Sequence, residues 1–150
     1  MKLTNATTDK RILLAVTVTS TVNSLLHPLA QALADAGWDV HVVSSPGELS
    51  RHVLGRPMQV HFVPMRRSVS PLNDIVSLSQ MRNTIQRIRP DVVVGSTPKA
   101  AMLSMLAARS LGVETRILHL RGARWDGMAG PRRRLLVAAD RVAARSATHL

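Results

Sequence analysis

A chain of 150 residues is the size of one domain, and with 45% hydrophobic and 19% charged residues its composition excludes a disordered chain. There is no cysteine, which excludes disulfides, thiolate chemistry and cysteine-bound zinc or iron–sulfur centres together. The net charge of +11 points to an anionic partner: nucleic acid, an acidic membrane surface or a phosphate-bearing substrate.

Met1 to Lys10 is a polar tail without the apolar run of a signal peptide, and residues 11–150 read as the single domain. Arg11 to Val18 is a compact apolar run, the mark of a buried strand. Leu26, Leu29, Ala30 and Leu33 recur at helical spacing and Gly37 stands where a helix ends, which predicts a helix over about 25–36. Asp39 to Ser44 and Gln59 to Val63 read as the second and third strands. Pro46, Gly47, Gly55 and Pro57 punctuate the connection between them, with a short helix near Glu48 to Val53. Ser70 and Pro71 open the longest helix with a cap and a first-turn proline, and its stripe of Leu72, Ile75, Leu78, Met81, Ile85 and Ile88 ends before Pro90. Asp91 to Val94 is the fourth strand. Thr97 and Pro98 repeat the cap-and-proline start for a helix ending at Gly112, and Thr115 to Leu120 is the fifth strand. A basic helix follows from about Pro131 to Arg145, and Ala147 to Leu150 begins an apolar run expected to continue in a longer protein.

Strands alternating with helices in this way predict an α/β Rossmann-like fold, a parallel sheet with helices on both faces. Such sheets bind ligands at the carboxyl ends of their strands, so the segments Thr19 to Ser24, Gly95 to Lys99 and Arg121 to Asp126 are the ones to inspect. The first has no glycine, and neither a GxGxxG fingerprint nor a GxxxxGK[ST] loop occurs, which excludes a typical NAD enzyme and a P-loop kinase. Ser20 and Asn23 suit hydrogen bonds to a sugar or phosphate, or simple helix capping; His27 is expected at the same edge. Around Ser96 and Thr97, the free amides of a first helical turn and Lys99 form an anion site, or Lys99 is a solvated surface lysine.

The six histidines include no HExxH and no pair at metal-ligand spacing on a helix, so no metal site is expected. The absence of a GxSxG elbow argues against a hydrolase of the α/β class. Eight arginines fall between Arg116 and Leu150 against Asp126 and Asp140. That cluster favours an anionic partner, although 17 arginines against 3 lysines also fit a general preference for arginine. Trp38, Phe62 and Trp125 are the only aromatic residues, too few for a stacking platform, and no helix-turn-helix or RNP pattern is present, so nucleic acid is not the expected partner. No stretch approaches the roughly 18 apolar residues of a membrane span, and the chain reads as cytoplasmic, at most peripheral to the membrane.

Taken in order, RILLAV (Arg11 to Val16), PLAQALADAGWDVHVV (Pro28 to Val43), RPDVVV (Arg89 to Val94), TPKA (Thr97 to Ala100), LAARSLGV (Leu106 to Val113) and RGARW (Arg121 to Trp125) resemble the amino-terminal domain of family-4 glycosyltransferases. TPKA and RGxR are the most specific of these segments. They look like the branch acting in capsule, O-antigen or lipid-linked oligosaccharide assembly. The resemblance implies the amino-terminal half of a GT-B enzyme, in which two Rossmann-like domains face each other across a cleft. It implies sugar transfer from a nucleotide donor with retention of configuration and no obligatory metal, onto a sugar or a polyprenyl-diphosphate-linked acceptor at the inner membrane face.

The positions implied in acceptor binding are Ser20, Asn23, His27, Ser96, Thr97, Lys99, Arg121, Gly122 and Arg124, with Arg132, Arg133 and Arg134 facing anionic lipid. No catalytic residue is assigned. The chain itself is expected to hold no cofactor, and the nucleotide sugar to bind a carboxyl-terminal domain supplied in cis or in trans, so these 150 residues alone are expected to be inactive. A non-catalytic, membrane-recruiting subunit of a split transferase is the alternative. The pattern departs from the family at Leu25, Val94 and Ser96, where relatives often carry histidine.

Overall fold

Arg11–Ala15 (β1), Asp39–Ser44 (β2), Met58–Phe62 (β3), Val92–Gly95 (β4) and Thr115–Leu118 (β5) pair in parallel in the order β3-β2-β1-β4-β5. The computed structural model describes residues 10–49, 53, 58–68, 70–119 and 127–150. β1 lies at the centre, with Leu13 opposite His41 on one side and Val93 on the other. Leu13 and Leu14 point to opposite faces and both are buried, which is why this strand is apolar at every position past its first. The expected α/β Rossmann-like sheet is therefore present.

Helices cover both faces. The first helical stretch, α1, comprises Thr19–Thr21, a π turn over Val22–Leu26 and His27–Asp35. It begins six residues before the predicted start, directly after β1. Ser, Thr and Asn are poor helix formers, but Val22 and Leu26 are buried against Ile12, Leu14, Val40 and Val42, and this packing overrides their neighbours' preference. Gly37 adopts φ +90° and ends the helix as predicted. On the opposite face lie Pro71–Ile88 (α2), Pro98–Ser110 (α3) and Gly130–Ser146 (α4). Met81, Ile85 and Ile88 of α2 and Leu103 and Ala107 of α3 bury against Leu13, Val43 and Val93. Ala143 of α4 packs on Ala101 and Leu118.

Several boundaries differ from the sequence reading. β1 stops at Ala15 instead of Val18, because Thr17 already turns towards α3, although the Val16 N–H still donates to the Val43 carbonyl at 2.9 Å. β3 begins one residue earlier than predicted, β4 is shifted one residue later, and β5 ends at Leu118. The short helix expected near Glu48 to Val53 falls largely outside the described residues. In α2 the stripe holds from Leu78 onward, but Leu72 and Ile75 are 81% and 66% exposed. An 18-residue helix is about 27 Å long against about 17 Å for a five-residue strand, so the first turns of α2 overhang the sheet.

Gly95 sets the spacing between β4 and α3: a Cβ there would stand 2.6 Å from the Ala101 Cα. The last residues return along β5, where Ile117 and His149 form a parallel bridge and the Leu118 N–H donates to the His149 carbonyl at 2.9 Å. Among the described residues, no helix is long and apolar enough to cross a membrane.

Candidate functional site

In a right-handed parallel fold the helices run back against the strands, so the carboxyl ends of β1, β4 and β5 and the starts of α1, α3 and α4 share one rim. A cleft of about 390 Å³ opens there, lined by the segments that follow β1 and β4 and by residues of α1, α3, β5 and α4. Its floor is a hydroxyl pair. The Thr17 N–H donates to Thr97 Oγ1 at 2.9 Å and the two hydroxyls meet at 2.6 Å. Thr97 therefore does not cap its own helix, contrary to the cap-and-proline reading; its side chain ties α3 to the end of β1. Ser70 likewise makes no side-chain cap to α2, and instead its hydroxyl accepts from Asn73 Nδ2 at 2.7 Å.

Ser96 is buried beside this pair, with its N–H donated to the Ala15 carbonyl at 3.0 Å. Lys99 also lines the cleft, but its ammonium is held inside the protein. Nζ donates to both Asp74 carboxylate oxygens at 2.6 and 2.7 Å and to the Ser68 carbonyl at 3.2 Å. The side chains of the pair are only 10% and 18% exposed. Neither the solvated-lysine reading nor a bare anion site describes this geometry: Lys99 is a strut between α3 and α2.

The helical phase of α1 decides what it offers. The His27 N–H bonds the Val22 carbonyl five residues back, and through this wide turn Thr21, Ser24 and Leu25 line the cleft. Ser20, Asn23 and His27 are not among the lining residues, and Asn23 Nδ2 donates instead to the Glu48 carbonyl at 3.2 Å. The expected grouping thus holds for Ser96, Thr97 and Lys99. Arg121, Gly122 and Arg124 lie outside the described residues. Arg132, Arg133 and Arg134 occupy the exposed first turn of α4, at the same rim.

The sequence reading missed Thr17, which it took into the first strand, and also Arg67, His119 and Asp140. His119 was placed inside a strand because Leu120 prolongs the apolar run; with β5 ending at Leu118 it stands at the rim, its N–H donated to the Gly95 carbonyl at 2.9 Å. Arg67 belongs to no motif, although its place just before a predicted helix start puts it at the same end of the molecule. Asp140 comes from the middle of α4, which no strand-end rule reaches. Arg67 and His119 are exposed and add cationic and imidazole donors to a hydroxyl-lined cleft, a set suited to sugar hydroxyls and phosphate oxygens.

A second polar cluster lies under α2. His41 Nε2 is 3.1 Å from Asp39 Oδ2, and His41 Nδ1 is 3.0 Å from His61 Nε2, with the rings stacked at 26°. A carboxylate only accepts, so His41 donates from Nε2 and, when neutral, receives the His61 Nε2–H at Nδ1. Burial, then the neighbouring His41, then Arg87 lower the His61 pKa below its ordinary 6.5.

A family model for the glycosyl transferase 4-like domain matches residues 20–150. The chain belongs to the glycosyl transferase 4-like domain family. This domain is 28% identical over 142 residues to the capsular polysaccharide biosynthesis glycosyltransferase CapM of Staphylococcus aureus. The alignment takes in 95% of the domain but 37% of that relative's length. Among solved structures, MurG of Acinetobacter baumannii superposes with a TM-score of 0.66 at 17% identity, over 93% of this domain and 40% of that chain. A UDP-N-acetylglucosamine 2-epimerase superposes with a TM-score of 0.66 at 14% identity, over 95% and 41%. These distant likenesses establish the Rossmann-like fold of the domain, and a fold alone fixes no reaction.

Proposed function

We propose that this domain is the acceptor-binding, membrane-facing half of a retaining glycosyltransferase, one that moves a sugar from a nucleotide donor to a polysaccharide or lipid-linked acceptor. The observation that carries this reading is the cleft: in a glycosyl transferase 4-like domain, the hydroxyl-bearing residues Thr17, Ser24 and Thr97 line it together with Arg67 and His119 at the carboxyl rim of the sheet. Hydroxyls match the ring hydroxyls of a sugar, while the guanidinium and imidazole match the oxygens of a diphosphate. The kinship with a capsular polysaccharide enzyme supports a surface polysaccharide as the product.

In this reading the nucleotide sugar binds a second domain outside these 150 residues, supplied in cis or in trans, and the reacting atoms meet between the two. The domain's own part is to hold and orient the acceptor hydroxyl. Arg132, Arg133 and Arg134 at the same rim face the phosphates of an anionic surface, a contact that salt weakens.

The test is calorimetric titration of the purified chain with a short prenyl diphosphate-linked sugar and, separately, with a nucleotide sugar. Salt-sensitive binding of the former, and neither turnover nor tight binding of the latter, is the expected pattern. Sugar transfer by the 150-residue chain on its own would overturn the division of labour.

A further inference from the structure

The histidine cluster under α2 opens into a second cavity, of about 380 Å³, towards the amino ends of β1 and β2 and so away from the cleft. Arg11 reaches it from β1, Asp39 and His41 from β2, His61 from β3 and Arg87 from the last turn of α2. With neutral histidines, two guanidiniums against one carboxylate leave its wall with one net positive charge. The carboxylate is already shared: Asp39 Oδ2 lies 3.1 Å from His41 Nε2 and 3.7 Å from Arg11 Nε, and Asp39 Oδ1 receives Gln59 Nε2 at 3.4 Å. The Ile88 carbonyl ends α2 at a pole that repels anions, and Arg11 Nη1 covers it at 3.0 Å. Asp91 Oδ2, the other acid near Arg11, is occupied by the Arg11 backbone N–H at 2.8 Å. Arg87 is exposed and forms no salt bridge among the described residues.

The hydrogen bonds of the histidine pair fix where a proton can go. In the neutral pair His61 Nε2–H donates to His41 Nδ1 and His41 Nε2–H donates to Asp39, so His61 Nδ1 is the one ring nitrogen left bare. A proton taken up by the pair therefore ends on that atom, whichever ring carries the charge. If His41 is the cation, it donates Nδ1–H to His61 Nε2, and His61 must then hold its hydrogen at Nδ1. Acidification thus converts a lone pair on a cavity residue into an N–H donor and raises the wall to two net positive charges. Burial first, then His41 and Arg87, oppose that proton, and an anion beside Arg87 offsets the repulsion.

We propose that this cavity is a proton-linked site for a tetrahedral oxyanion, a phosphate group by chemistry, held between Arg87, Arg11 and the Nδ1–H of His61. Guanidinium and imidazolium N–H groups pair with charged oxygens, and a dianion balances the two positive charges. Binding takes up a proton, so affinity rises as pH falls. An occupied site ties β1, β3 and α2 together, and it stands or falls independently of the acceptor cleft at the other end of the sheet.

The test uses sulfate, a tetrahedral dianion that does not itself titrate near neutral pH, with chloride at matched ionic strength as the control. The ring nitrogens of His61 are followed by heteronuclear NMR of the whole chain, which separates this site from any anion bound at the cleft. Saturating sulfate is expected to raise the pKa read at His61 by about one pH unit, and sulfate affinity to increase about tenfold between about pH 7.5 and 5.5. Arg87→Gln, at an exposed position, is expected to raise the His61 pKa in chloride, because a repelling charge is gone, and to remove most of the sulfate-induced rise. A purely electrostatic neighbour would give the first effect without the second.

Inorganic phosphate and glycerol phosphate are then competed against sulfate. Displacement by both assigns the site to the phosphate group whatever carries it, and displacement by inorganic phosphate alone assigns it to the free anion. Failure of both to displace sulfate would overturn the proposal. So would a His61 pKa that moves no further in sulfate than in chloride, or a sulfate-induced rise that survives Arg87→Gln in full.

Discussion

The hydroxyls of Thr17 and Thr97 lie 2.6 Å apart, and this one contact joins the end of β1 to the start of α3 at the floor of the cleft. Thr97 Oγ1 also receives the Thr17 N–H. Thr97→Val keeps the side-chain shape and leaves that N–H without its acceptor, so a loss of about 1–2 kcal/mol in chemical denaturation is expected. Thr17→Val removes one hydroxyl and no backbone partner, and is expected to cost less. Equal losses for the two would contradict the assigned geometry.

Lys99 and Asp74 form a nearly buried pair whose partners cannot be removed one at a time without stranding a charge. Lys99→Met is expected to destabilise the domain by about 3 kcal/mol, and Asp74→Leu by a similar amount. The double variant is expected to be more stable than either single one, a coupling that a double-mutant cycle on urea melts reads directly.

Gly95 faces the backbone of α3, and the Ala101 Cα stands 2.6 Å from where a Cβ would be. Gly95→Ala is expected to cost about 2 kcal/mol, because neither a strand nor a helix backbone yields as a flexible side chain does. Thermal unfolding checks this, with Gly127→Ala as a comparison, where nothing lies within 4 Å and only the φ of +79° opposes the change.

The pH dependence of stability should carry the mark of His61. Its folded-state pKa lies below the ordinary 6.5, owing first to burial and then to His41 and Arg87, so the folded chain resists a proton that the unfolded chain accepts. Stability from this group is complete above about pH 6.5 and drains away as pH falls from there through the lowered folded value. His61→Gln is expected to flatten that segment of the curve, measured as denaturation midpoints at stepped pH. A parent and variant with parallel curves between pH 7 and 5 would refute it.

Much of the fold was legible in the sequence, because period and punctuation act locally. Asp39–Ser44 is a strand with the predicted bounds, and α2 stops before Pro90 as its stripe requires. Thr19 to Ser24 looked like a loop since its residue types favour caps and turns; the helical signal there was the four-residue spacing of Val22 and Leu26, whose burial is a tertiary fact. At the cleft, the strand-end rule located Ser96, Thr97 and Lys99. It could not show that Lys99 is engaged by Asp74, 25 positions away, or that His119 falls just outside its strand. Partners brought together by the fold leave no local trace.

The wide turn at Val22–Leu26 gives α1 a means of variation independent of the sheet. A π turn contains one residue more than the α turn it replaces, and each residue of an α-helix accounts for about 100° of rotation. Deleting one residue there would close an ordinary helix and swing the preceding turn by about that angle, carrying Thr21 away from the opening and a neighbour into its place. A length change of one codon would thus exchange the side chains offered to a bound molecule while Ile12, Leu14 and Val40 kept their packing partners further along the helix.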